Sequence, residues 1–153
     1  MPNYTVDDIK KLREETGAGM MDCKKAFDEA QGDFEQAKEI LRQKSLIKAE
    51  KKADRETKEG YLASYIHTNR KVGAMVEVLC ETDFVAKNED FQKLANEIAM
   101  QVASMAPENV AELLAQDYIR DAKKTIDELV KEASGTIGEK LVINRFVRYE
   151  IGE

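Results

Sequence analysis

The sequence predicts an α+β fold in which an amino-terminal three-helix module precedes an antiparallel three-stranded sheet packed with helices. Three observations carry that prediction. Apolar residues recur at three- and four-residue spacing in each of three short segments within residues 1–43. Residues 44–59 then hold six Lys/Arg and four Asp/Glu with no Gly or Pro. Past Gly60, runs rich in aromatic and β-branched residues open and close a region whose middle has helical periodicity, the order expected of an α+β core.

Thr5 and Asp8 are spaced as a capping box, Val6, Ile9 and Leu12 form an apolar stripe, and Thr16-Gly17 supplies a left-handed stop. A second helix is expected to start near Asp22, with Cys23, Ala26, Phe27 and Ala30 on one face and Gln31-Gly32 at its end. Asp33 then caps a third, whose stripe is Phe34, Ala37, Ile40 and Leu41. Three stripes in so short a span bury only against one another, so residues 1–43 read as one module with a small core. The loop Gly17-Ala18-Gly19-Met20-Met21 is the odd feature, because two adjacent methionines cannot both face that core. Either they form a docking pair, Met being an adaptable interface residue, or one is buried and its neighbour incidentally exposed.

Residues 44–59 have a local charge of only +2 and almost no apolar stripe beyond Leu46-Ile47. They read as a linker, a solvated helix or a tether, in preference to a basic nucleic-acid patch. Residues 60–153 form the α+β core. Strands are expected at 61–67 and 72–80, joined by the polar turn Thr68-Asn69-Arg70-Lys71. A third, at 141–151, places Leu141, Ile143, Val147, Tyr149 and Ile151 on one face with only Arg145 interrupting. Asn88 caps a helix with the stripe Phe91, Leu94, Ala95, Ile98, Ala99 and Val102, stopped by Pro107. Ile126, Leu129, Val130 and Ala133 mark another, ended by Gly135.

Composition narrows the function. The 153 residues include 24 Lys+Arg and 30 Asp+Glu, a net charge of −6, which argues against nucleic acid as the main partner. No apolar run approaches the roughly 18 residues that span a bilayer. Asp7, Asp8, Glu14 and Glu15 stand where a signal peptide would be apolar, so no membrane partner and a cytoplasmic location are expected. Cys23 and Cys80 belong to no CxxC or Cys/His cluster and read as small buried hydrophobes; neither a metal nor a cofactor is expected. There is no GxxxxGK, HExxH or GxSxG, and His67 is the single histidine. Function by binding is favoured over catalysis.

The most unusual stretch is Glu77-Val78-Leu79-Cys80-Glu81-Thr82-Asp83-Phe84-Val85-Ala86-Lys87. A strand ends here, and Asp83-Phe84 falls before the following helix, where side chains project from a rigid frame. Two readings are open. Thr82 or Asp83 caps a turn while Phe84 and Val85 plug the gap between sheet and helix, or the acid and aromatic form a tip that wedges into a partner.

At this point the sequence resembles the bacterial elongation factor Ts family. Leu12-Arg13-Glu14-Glu15-Thr16-Gly17-Ala18-Gly19-Met20-Met21-Asp22-Cys23-Lys24-Lys25-Ala26 is similar to its amino-terminal signature, and residues 77–87 to its second. Ser64-Tyr65-Ile66-His67 and Ile137-Gly138-Glu139 resemble two further recurring segments. The resemblance implies a ubiquitin-associated-like first module whose Arg13, Met20, Met21 and Lys24 dock on the nucleotide-binding domain of elongation factor Tu. It implies that Asp83 and Phe84, flanked by Thr82 and Val85, wedge near that partner's magnesium and phosphate site and promote GDP release. His67, Ile137 and Gly138 resemble further contact positions. A single core unit implies a homodimer, with Leu113, Leu114, Tyr118 and the next helix as a candidate contact, although 107–118 is shorter than the helical excursion expected there. Phe27 stands where the family usually has Leu. The alternative is a non-exchanging translation accessory protein that binds RNA or the ribosome through the Lys-rich segment.

Overall fold

Local capping sets the first helices of the computed structural model, which describes residues 3–153. The Thr5 hydroxyl accepts from the Asp8 N–H and the Asp8 carboxylate from the Thr5 N–H, opening α1 (Val6–Thr16); Gly17 closes it at φ 71°. Helix α2 (Met20–Glu29) begins before Asp22, because Gly19 is its extended N-cap and Asp22 lies in its first turn. Met20 and Met21 are therefore helical rather than part of a loop. Helix α3 (Phe34–Glu50), capped by Asp33, runs on through the first part of the charged stretch. That stretch is made of good helix formers, and Lys44 reaches Glu29 at 3.0 Å. Ile9, Leu12, Cys23, Ala26, Phe27, Ala37 and Leu41 close a separate core between the three helices. Phe27 fits there by stacking on Tyr4, with ring centroids 4.9 Å apart.

Beyond a short turn, β1 (Glu59–Ile66) and β2 (Val72–Cys80) form an antiparallel hairpin, with a turn in which Arg70 takes φ 63°. One-turn helix α4 (Asp83–Ala86) follows, then α5 (Glu89–Met105), capped by Asn88 and ended just before Pro107. Helix α6 (Val110–Ala115), the small hairpin of β3 (Asp117–Tyr118) and β4 (Asp121–Thr125), α7 (Ile126–Ile137) and β5 (Val142–Glu150) complete the chain. Neither α6 nor the small hairpin is signalled by periodicity. The hairpin is pinned by buried Gln101 of α5, whose amide donates to the Asp117 carbonyl at 3.0 Å and accepts from the Ile119 N–H at 3.1 Å. The main sheet has the order β1-β2-β5, and α5 fills its inner face with Phe91, Leu94, Ile98 and Val102.

Two sequence expectations are corrected by packing. A bulge puts Asn144 between Ile143, opposite Val78, and Arg145, opposite Glu77. The extra residue reverses the alternation, so Leu141 and Ile143 face the core whereas Val147, Tyr149 and Ile151 lie exposed on the outer face. Gly135 does not end α7; Gly138 does, in the left-handed region at φ 90°. Gly135 is instead where α3 crosses: a Cβ there would lie 2.6 Å from the Ser45 Cα and carbonyl oxygen. Around that crossing Arg42 pairs with Glu128 at 2.7 Å, and the Thr125 N–H followed by Arg42 holds the Glu128 carboxyl below its usual range. Of the residues named as a candidate dimer contact, Leu113 is fully buried, and Leu114 and Tyr118 are partly buried against the core.

Both cysteines are buried, and burial pushes the Cys80 thiol up to about 11. Because the thiolate is the reactive form, native protein at pH 8 is expected to resist alkylation at both positions, and unfolded protein to react at both within minutes. Rapid labelling of either thiol in the native state would contradict this burial.

Candidate functional site

The end of β2 builds a tip from three successive local choices. Thr82 leaves the strand in extended conformation, and its hydroxyl accepts from the Val85 N–H at 3.3 Å, capping α4. Val85 turns inward into the main core and is 8% exposed. Phe84, one residue earlier on the same turn, points away and is 86% exposed, beside exposed Asp83. The capping-and-plug reading holds for Thr82 and Val85 but not for Phe84, which fills no gap in this chain.

Ile137 and Gly138 lie next to that tip. Ile137 packs on the core from the last turn of α7, and Gly138 leaves the helix open to solvent. The neighbouring Glu139 accepts from the Thr82 hydroxyl at 2.7 Å. On the other side, a Cβ at Gly17 would lie 3.0 Å from Thr136 Cγ2, so the loop between α1 and α2 sits against the last turn of α7. Exposed Arg13, Met20, Met21 and Lys24 surround that loop, with Met21 63% exposed. Motifs widely separated in sequence are thereby joined by a continuous line of contacts: Gly17 to Thr136, then Ile137 and Gly138, then Glu139 to Thr82.

His67 is not part of this cluster. It lies exposed at the hairpin end of the sheet, its Nδ1 3.0 Å from the Tyr65 hydroxyl. The tip follows Cys80, which pairs with Glu59 at the opposite end of β1. Seven or eight residues of strand separate them, roughly 25 Å.

Glu139 closes the Ile137-Gly138-Glu139 segment, but no local pattern marks it as part of the site. Its signal is tertiary, since its partners are 57 and 58 residues away. Among the described residues no group of three His, Cys, Asp or Glu stands close enough to hold a metal ion. Among them no helix is long and apolar enough to cross a membrane.

A family model described as Elongation factor TS matches residues 81–153. The chain is 51% identical over 152 residues to the elongation factor Ts of Aquifex aeolicus, covering 95% of this chain but only 52% of that protein. It is 41% identical to that of Thermosipho melanesiensis over 95% of this chain and 97% of the relative. Identity is 42% to that of Oleidesulfovibrio alaskensis over 99% of this chain and 100% of the relative. The latter two alignments extend over 190 and 197 positions, more than the 153 residues here, so both relatives carry sequence without a counterpart in this chain. With nearly the whole length of such relatives covered at this identity, the chain belongs to the elongation factor Ts family of translation elongation factors.

Proposed function

We propose that this chain is a cytoplasmic guanine nucleotide exchange factor that binds elongation factor Tu in its GDP form and promotes GDP release, with GTP loading to follow. The observation that carries the reading is the exposed Phe84 on a capped turn anchored by Val85. Exchange needs no bond chemistry. GDP is held by magnesium and by charge-assisted donors, so a wedge that displaces their supports by about an ångström weakens several contacts at once. Linkage supplies the rest: tighter binding of the factor to the nucleotide-free partner requires weaker nucleotide binding in the complex, by the same factor. In this reading the module of residues 1–43 docks through Arg13, Met20, Met21 and Lys24, and the core of residues 60–153 supplies Asp83, Phe84, Ile137 and Gly138. Thr82 and Val85 hold the tip in place, and residues 44–59 connect the two parts.

A homodimer completes the reading, because one chain holds His67 and the tip too far apart to meet the same small area. The outer face of the sheet is the surface that suits a second copy. Leu62, Ile66, Met75, Val147, Tyr149 and Ile151 lie there exposed, and Tyr149 is 76% exposed. Sedimentation of the native chain at micromolar concentration is expected to give dimer mass, and Tyr149→Glu monomer mass. Monomer mass for both would remove the dimer from the reading.

The RNA-binding alternative loses support from the same side chains that suggested it. Lys44, Arg55 and Lys58 pair with Glu29, Glu81 and Glu56, and Lys48 faces Asp22 at 4.0 Å. Lys52 is buried with its ammonium on the Lys48 carbonyl. The deciding experiment is stopped-flow release of fluorescent GDP from elongation factor Tu with and without this chain. Acceleration supports exchange; binding without acceleration defeats it.

A further inference from the structure

The turn that presents Phe84 is gripped from a distant part of the chain. One Glu139 carboxylate oxygen accepts from the Glu81 N–H at 3.0 Å and the Thr82 N–H at 3.1 Å, and the other from the Thr82 hydroxyl at 2.7 Å. The grip is reciprocal. The Glu81 carboxylate accepts from the Lys140 N–H at 2.6 Å and faces Arg55 at 3.3 Å, while Arg55 also reaches the Gly138 carbonyl at 3.4 Å. Two carboxylates thus clasp the end of β2 to the turn between α7 and β5. Bonds from N–H groups to an ionised carboxylate are roughly twice as strong as neutral ones.

A turn that served only to connect strand and helix would be complete with the Thr82 cap and the Val85 plug. The clasp adds a second set of restraints directly beneath Asp83 and Phe84. A wedge needs such restraint, since a ring on a yielding support moves aside instead of displacing its target. We propose that Glu139 is a positioning residue for the Asp83-Phe84 wedge, fixing the orientation of α4 and joining it to Ile137-Gly138 so that both press on elongation factor Tu as one surface. The proposal rests on the exchange reading above.

The test uses the full chain as Glu139→Ala and Glu139→Gln, each with and without Phe84→Ala. Amide hydrogen exchange on the chain alone reports the clasp, independently of any activity. Glu139→Ala is expected to speed exchange at residues 81–86 by about tenfold while α5 stays protected. In the GDP-release assay the rate at saturating factor is expected to fall about tenfold, with the half-saturating concentration moving less than about threefold. With Phe84→Ala already present, the further loss is expected to be under about twofold, the mark of two residues acting through one element. Glu139→Gln, whose amide oxygen still accepts from the two N–H groups, is expected to recover most of the rate. If the Ala variant does not fold, Gln carries the test through a smaller loss with the same dependence on Phe84. Equal losses with and without Phe84, unchanged exchange at 81–86, or loosening that spreads through α5 each overturn the proposal. A native chain that leaves GDP release unchanged defeats the exchange reading and this proposal with it, whereas an active native chain matched by Glu139→Ala defeats this proposal alone.

Discussion

Phe84→Ala is expected to slow the GDP release that this chain stimulates at subsaturating concentration by roughly 30- to 150-fold, while leaving its own stability almost untouched. The size follows from the 86% exposure of the side chain. In the free chain the ring makes almost no core contact, and exposed substitutions of this kind change stability by about 0.5 kcal/mol or less. Fully burying a Phe against a partner contributes about 2 to 3 kcal/mol, and each 1.4 kcal/mol is about tenfold in affinity. Paired measurements check it: stopped-flow release of fluorescent GDP, and urea unfolding of the variant alone. Full exchange activity in the variant would remove Phe84 from the mechanism. A collapse of stability with activity would make the ring a core residue after all. Val85→Ala is the informative contrast, because Val85 faces the core and is expected to lose stability first.

Gly135→Ala is expected to destabilise the chain by about 2 to 3 kcal/mol, the cost typical of overpacking a close contact. The sign is the interesting part. Replacing Gly by Ala inside an exposed helix ordinarily gains about 1 kcal/mol from helix propensity. Here the added Cβ would lie 2.6 Å from the Ser45 Cα and carbonyl oxygen, backbone atoms that yield only if α3 moves as a unit. Moving α3 shifts α2, which carries Met20 and Met21, relative to the tip, so exchange activity is expected to fall with stability. Urea unfolding with the linear extrapolation reads the first effect. An unchanged or raised midpoint would show that the two helices do not cross as closely as the glycine indicates.

The sequence exposed the devices that act within a few residues. Thr5 with Asp8, Asp33, Asn88 and Pro107 all set helix ends where their local chemistry indicated. The stripes of α1, α2, α3 and α5 named most of the two cores, and the hairpin of β1 and β2 followed from a polar turn between β-rich runs. Where the reading failed, a remote partner had decided the matter. The bulge at Asn144 reverses the alternation of β5, and nothing in the local spacing marks it. Gly135 carried the signature of a helix stop, yet α7 passes through it because α3 needs the space. Gly19, one residue before Met20, moved the methionine pair from loop to helix without changing its exposure.

The sequence by itself determined the order and type of the principal elements, the caps that start and stop them, and the motifs that place the chain in its family. These depend on hydrogen bonds and periodicities closed within one or two turns of chain, so they are legible one window at a time. Only the tertiary structure decided that Val85 turns inward and Phe84 outward, that Val147 and Tyr149 face solvent, and that Gly17, Thr136, Gly138, Glu139 and Thr82 form one line. Burial is a property of what lies opposite, and here what lies opposite is often more than fifty residues away.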